Sequence, residues 1–567
     1  MASVDWSIVF IYLALIIAGG MYFTRRAHKG LNEYFLTGRS LPWWIAGTSM
    51  VATSFSCDTP LYVTKLIRTG GIYLNWQWWS FLIGGMLSAF LLSRLWRRAE
   101  IMTDVELTEL RYSGKGATFL RGFRAFYLAI PINCIAMGWV LLAMAKISSA
   151  VLGLGKWEAI LVFSIAAFSY SLLAGFWGVV VTDVVQFVLA LIGATVLALF
   201  AVDAAGGWNE VLTFIQSRPE QYPDTLKFIP SIKGPGAVGM ISAAFIGFLT
   251  YNLVQWWANI NSDGGGKVIQ RINACKTEGH ALGAVLWYNF AHFVLRSWPW
   301  IVAALASIKL YPHLTDPEMA YPKMIMEVLP VGVRGLVVAS LIAAFMSTID
   351  TQLNWGASYL VSDLYKRFLK PGQSEKHYLW AAKGALLLLM ILAGFTAYFT
   401  DSVTEAFKFI IAFGAGTGPV YILRWFWWRI NAWSEISAMI ASSVISVCLY
   451  LFTDLDYALK VLITAGGSAV IWVAVAYLTP ATAKEKLKEF YLRARPGGSW
   501  GPVKTGLSVN PEPVKDGIVN WLIGVAAGIC FMMGIGKVIM LEAGVGMGML
   551  GVAAGCSYWL WRRVKTD

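Results

Sequence analysis

The chain has 567 residues, 57% of them hydrophobic and only 14% charged, where soluble domains carry about 25% charged residues. That composition excludes a soluble globular protein, and apolar runs long enough to cross a bilayer as helices recur from end to end. The net charge of +13 does not point to nucleic acid, because lysines and arginines gather in short loops between apolar runs, the positive-inside pattern of membrane proteins.

A membrane β-barrel would show short alternating segments instead, so an all-α polytopic membrane protein is expected. About fifteen spans are predicted, near 4–22, 42–67, 72–95, 124–152, 157–175, 178–203, 237–258, 281–307, 330–362, 378–400, 404–425, 433–453, 457–479, 517–538 and 543–561. The first has no basic lead-in and no Ala-x-Ala cleavage site, and reads as a retained helix rather than a signal peptide. With Met1 outside, alternate loops fall inside and hold "TRRAHKG", "KVIQRINACKTEG", "LYKRFLKPGQSEK", "AKEKLKEFYLRARPGG" and the tail "WRRVKTD". The outside loops "DSVTEA" and "TDLD" carry no basic residue, and the long one near 204–236 carries only Arg218, Lys227 and Lys233. The N-terminus is therefore expected outside and the C-terminus in the cytoplasm, in a cell inner membrane. Cys57, Cys134, Cys275, Cys448, Cys530 and Cys556 have no paired or metal-ligand spacing and read as free thiols. Residues 482–495 read either as an amphipathic surface helix or as a solvated linker. "GVGMGMLG" at 544–551 reads as a small-residue packing face.

Polar residues inside the spans carry the chemistry. In "SMVATSFSCDTPLYVTKL", Ser54, Ser56, Asp58 and Thr59 interrupt the second span, and Pro60 removes a backbone donor. Broken backbone at membrane depth is tolerated where it lines a cavity, and unwound carbonyls coordinate sodium in inverted-repeat transporters. Asp183, in "GFWGVVVTDVVQFVLALIGA", reads either as a salt bridge to a neighbour such as Arg296 or as a hard oxygen ligand for a cation. The seventh span, ending "FLTYNLVQWWANINSDGGG", falls five spans after the broken one, as a five-helix inverted repeat requires. "NFAHFVLRSWPW" carries Asn289, His292 and Arg296. Arg296 either grips a substrate carboxylate or neutralises Asp183 or Asp350, and His292 is either a packing histidine or a ligand. In "FMSTIDTQLN", Ser347, Thr351 and Asn354 stand at i, i+4 and i+7 with Asp350 at i+3, on one helix face. Such a face is an ion site or a helix–helix hydrogen-bond seam.

The chain lacks HExxH, GxSxG and clustered His/Cys spacing, so no enzyme is expected, and without GxxxxGK[ST] it is no primary pump. A secondary transporter is expected. Its alternatives are a proton-coupled carrier using Asp58, Asp183, Asp350 and His292, a transporter-like sensor and, last, an intramembrane acyltransferase using His292.

"GFWGVVVTDVVQ", "KVIQRINACKT", "MSTIDTQLN" with "SDLYKRF", and "GAGTGPVYILRWFWWR" together resemble the sodium:solute symporter family over roughly 5–480, in a bacterial subgroup with the tryptophan-rich "NWQWW". The resemblance implies a broken-helix, LeuT-like inverted five-helix repeat. An extra N-terminal helix and loop would occupy 1–40, the repeats 41–203 and 237–427, and four additional helices 433–567 with a basic loop at 480–516. It implies a sodium site of the carbonyls of Ala52, Phe55 and Ala344 and the hydroxyls of Ser347 and Thr348. A second sodium would take Asp183, Asp350 and Thr351 beside Ser347. It implies a small polar solute lined by Ser56, Thr59, Trp76, Gln77, Asn252, Gln255 and Trp256, to which Arg296 is added from the residues themselves. The partners expected are that solute and the lipid bilayer, with no nucleic acid and no obligate protein partner. Sugar-carrying relatives have a glutamate where this chain has Gln77 and a tyrosine where Gln255 precedes Trp256, which puts sugar in doubt.

Overall fold

The computed structural model describes residues 1–27, 36–232, 241–505 and 507–564. Lys233, the expected start of the second repeat at 237–240, the end of "TRRAHKG" and the last three residues of the tail lie outside the described residues. The helices named below are α1 (Ser3–Ala27), α2 (Trp43–Thr53), α3 (Asp58–Thr69), α4 (Ile72–Ala99), α5 (Gly114–Leu152), α6 (Lys156–Ala204), α7 (Ala243–Gln255), α8 (Gly266–Ala274), α9 (Glu278–Leu310), α10 (Val333–Leu369), α11 (Glu375–Phe399), α12 (Val403–Phe413), α13 (Gly418–Phe426), α14 (Ala432–Phe452), α15 (Tyr457–Leu478), α16 (Lys484–Ala494), α17 (Val514–Ile539) and α18 (Ala543–Arg563), with shorter ones between them, such as Trp208–Gln216 and Ala320–Val328. Every one of the fifteen predicted segments carries helix, and the chain is a multi-pass membrane protein.

Helix α6 covers two predicted spans. Tyr170 Oη and Thr182 Oγ1 lie 2.9 Å apart, whereas a straight helix would separate those residues by about 18 Å at 1.5 Å per residue. The chain therefore doubles back between them, and the two limbs lie side by side. Helix α10 packs most extensively against α6, and is itself almost wholly buried.

Three helices break, and the breaks cluster. The α2/α3 break spans Ser54–Cys57, and that between α7 and α8 spans 256–265. Between α12 and α13 the chain bends by 44°. Glycine is required there, since a Cβ on Gly418 would sit 1.7 Å from the Trp257 carbonyl oxygen. Pro60 does not itself break its helix. It is the third residue of α3, within the first turn, where a missing N–H leaves no intrahelical bond unmade.

The face that carries Met1 is tied by two acids. Asp5 accepts the Gly332 and Gly335 amides at 2.7 and 3.0 Å, at the positive end of α10. Glu318, in a 3-10 turn after α9 that leads into a short helix over Ala320–Val328, is 1% exposed. It meets Lys146 of α5 at 2.7 Å, Lys65 of α3 at 3.3 Å and the Thr404 hydroxyl of α12 at 2.9 Å. Burial opposes its charge, yet the hydrogen bond and charge of Lys146, with Lys65 and Thr404, hold its carboxyl down at about 2. Because the folded value is depressed, the clamp contributes full stability above the ordinary carboxylate range and loses it progressively as pH falls from that range through about 2.

The opposite face carries the basic loops. There Arg124 pairs with Asp104 at 2.9 Å and Glu435 at 3.3 Å, and Arg424 with Glu435 at 3.1 Å and Asp263 at 2.6 Å. This buried network pins α5, α13 and α14 to the α7/α8 break. The polar segment resolves into α16, whose Leu487, Phe490 and Tyr491 are buried against Trp425 and Trp500. Its apolar face meets protein rather than a membrane surface. Of the "GVGMGMLG" glycines, Gly546 makes a close approach, to Gly534 and Val538 of α17. All six cysteines are free.

Candidate functional site: a cavity at the broken helices

Unwinding α2 from α3 leaves carbonyls without helical partners, and side chains from three other helices take them. The Thr348 hydroxyl of α10 donates to Phe55 O at 2.8 Å. Lys267 Nζ of α8 donates to Thr53 O at 2.9 Å. Arg296 of α9 donates to Val51 O at 3.3 Å and Ser54 O at 3.4 Å. The Ser56 hydroxyl reaches Ala344 O at 3.2 Å, closing the break onto α10. Phe55, Ala344 and Thr348 are thus brought together. Ser347 lies one step aside, its hydroxyl donating to Asp183 Oδ1 at 2.5 Å. Ala52, in the last turn of α2, is buried.

Asp183 is the hub of a second cluster. Besides Ser347, it accepts the Ser49 hydroxyl at 2.5 Å and faces Arg271 Nη2 at 3.5 Å. Arg271 also donates to the Thr351 hydroxyl at 2.9 Å and the Ser49 hydroxyl at 2.9 Å. The cation at Asp183 is therefore Arg271, not Arg296. Asp350 takes the hydroxyl of Ser171, on the first limb of α6, and likewise does not pair with Arg296. The reason is local. A π-helical stretch over Phe290–Leu295 ends just before Arg296, whose guanidinium lies 4.2 Å from the Phe55 ring centre and 5.2 Å from that of Trp300. His292 bonds to it from one turn earlier and packs on Trp78.

Beside the break lies a cavity of about 270 Å³. Ser56, Thr59, Trp256 and Arg296 line it, as do Asp58, Lys267 and aromatic rings such as Trp78, Trp139 and Phe293. The other expected substrate residues stand elsewhere. Trp76 donates to Phe228 O in a loop, and Asn252 bonds back to Phe248 O on its own helix. Gln77 accepts from Tyr62 at 3.0 Å and donates to the Tyr251 hydroxyl at 3.3 Å. Gln255 donates to Gln77 O and accepts from Tyr457 at 2.8 Å. These residues make a polar plug on the helix halves nearer the Met1 face.

Arg271, Ser49, Ser171 and the tyrosines of the plug were not assigned roles from the sequence. Arg271 left one signal: two intramembrane acids need a cation, and it is a basic residue in a helix that carries Val268, Ile269 and Ile272.

A chain whose helices break at membrane depth beside a polar cavity is a secondary transporter of the broken-helix class. The profile of the sodium:solute symporter family matches residues 34–442. The chain belongs to that family. It is 26% identical to the sodium/sialic acid symporter NanT of Aliivibrio fischeri over 512 residues, covering 86% of this chain and 94% of that one. It is 25% identical to the sodium/glucose cotransporter of Vibrio parahaemolyticus, covering 78% and 84%. A solved sodium-coupled sialic acid symporter in a substrate-bound, outward-open state has the same fold, with a TM-score of 0.68 at 22% identity, covering 85% and 99%. The protein couples sodium to the transport of a solute and is not an enzyme.

Proposed function

We propose that the coupling sodium binds where the unwound α2/α3 carbonyls face α10, on the carbonyls of Ala52, Phe55 and Ala344 and the hydroxyls of Ser347 and Thr348. The observation that supports this most is the Thr348–Phe55 contact, which joins α10 to the unwound backbone of the first broken helix. All five are oxygen donors, the ligand type that hard cations take. The ion would hold the broken helix in the form that accepts solute, so sodium and solute each raise the other's affinity. The Tyr62–Gln77–Gln255 plug fits a gate that opens and closes in alternating access.

A second cation is proposed at Asp183, Asp350 and Thr351. Two buried carboxylates lie there, of which Asp183 faces Arg271 and Asp350 takes only the Ser171 hydroxyl among the described residues, and a further positive charge would balance them. The repeats are proposed at 41–203 and 237–427, flanked by 1–40 and 433–567. Met1 is proposed outside and the basic loops in the cytoplasm of a cell with an inner membrane.

Titrating the purified protein with sodium, against potassium as control, tests this reading through its melting curve. Sodium at a hundredfold its Kd should add about 2.7 kcal/mol of stability, and a Hill coefficient above one reports the second ion. Equal shifts with sodium and potassium would contradict it.

A further inference from the structure

The cavity wall is electrostatically unbalanced. Lys267 and Arg296 both face it, and Asp58 is the one acid among its described lining residues. None of the three has an opposite charge within 4.0 Å among the described residues. Both cations donate to carbonyls at the C-terminal end of α2. Such dipoles suit a cation but leave its charge in place, and a buried charge calls for a counter-charge. The cavity thus holds one positive charge more than it can pair.

A second observation concerns hydrogen bonds. Asn133 and Gln352 line the same cavity, are 0% and 6% exposed, and among the described residues each keeps its amide oxygen without a partner. The Ser88 hydroxyl, also on the wall, has no partner either. Buried polar groups are ordinarily satisfied, and the two amide oxygens are acceptors in search of donors, beside the Asp58 carboxylate, which takes the Trp139 indole and keeps its charge unpaired. The remaining wall is mostly apolar, with about ten aromatic rings among its residues, and the volume lies below the roughly 300–1,000 Å³ of sites for drug-sized ligands.

We propose that the transported solute is a small organic acid with a hydrogen-bond donor near its carboxylate, a hydroxy acid or an amino acid. The carboxylate lies between Lys267 and Arg296, where guanidinium and ammonium make charge-assisted hydrogen bonds. The hydroxyl or ammonium donates to Asp58 and to the amides of Asn133 and Gln352. This assignment rests on the reading of the cavity as the solute site.

The test uses the purified full chain in sodium, with a panel of hydroxy acids and amino acids, each beside its own amide, and glucose as a neutral polyol. Melting shifts and sodium-gradient uptake into proteoliposomes are read for each. The acids should bind at least about tenfold more tightly than their amides. Preference among the acids for an α-hydroxyl or an α-ammonium group identifies which donor Asp58 reads. Lys267→Gln should erase the preference for acid over amide, while Lys267→Arg keeps it. Radiolabelled sodium binding by each variant shows that it is folded. Sodium binding without any acid outperforming its amide, or uptake of glucose alone, overturns the proposal and leaves sodium-coupled transport standing. Failure of the parent to bind sodium removes the ion site itself.

Discussion

Replacing Ser347 and Thr348 together by alanine abolishes sodium-driven uptake. The two hydroxyls are two of five proposed oxygen ligands, and each now bonds to a group that matters. Thr348 holds Phe55 O at 2.8 Å and Ser347 holds Asp183 at 2.5 Å. Two lost contacts to a charged group, each worth about 1.5 kcal/mol, weaken sodium binding by roughly a hundredfold. Uptake at a fixed sodium concentration then falls to the leak through empty vesicles. Thr348→Ser keeps its oxygen and should retain most of the activity. Undiminished sodium-dependent uptake by the double alanine variant would sink the site.

The second large effect is on stability. Arg271→Gln should lower unfolding stability by about 3–5 kcal/mol, because it strands a buried carboxylate without its counter-ion. Asp183 is 0% exposed, and Arg271 is the cation at 3.5 Å from it. Adding Asp183→Asn removes the stranded charge and should recover much of the loss. Melting curves of the single and double variants in detergent without sodium check both steps. An Arg271→Gln protein that melts with the parent would show that Asp183 does not depend on this arginine.

Much of the fold was legible because polar groups at membrane depth are expensive and conspicuous. "SFSCDTP" marked the first break, and Ser347 and Thr348 marked the helix that faces it. The seventh span marked the second break by its spacing. What the sequence did not reveal is which distant group each polar side chain meets. Arg271, one helical turn after the second break, and Arg296, just after a π-helical stretch, are both candidates by position, and only the packing of α8 and α9 decides that the first reaches Asp183. Gln77 and Gln255 sit at depths where solute ligands are expected, yet Tyr62 of α3, Tyr251 of α7 and Tyr457 of α15 take their amides. Pro60 looked like the breaker, but the chain unwinds before it.

The central claim is that sodium drives the solute through this chain, and two opposed gradients test it. Proteoliposomes containing the wild-type protein receive either an inward sodium gradient at uniform pH or an inward proton gradient without sodium. The readout is accumulation of the best-bound solute of the panel. Accumulation under the sodium gradient alone is predicted. Accumulation under the proton gradient, with none under sodium, would contradict the account.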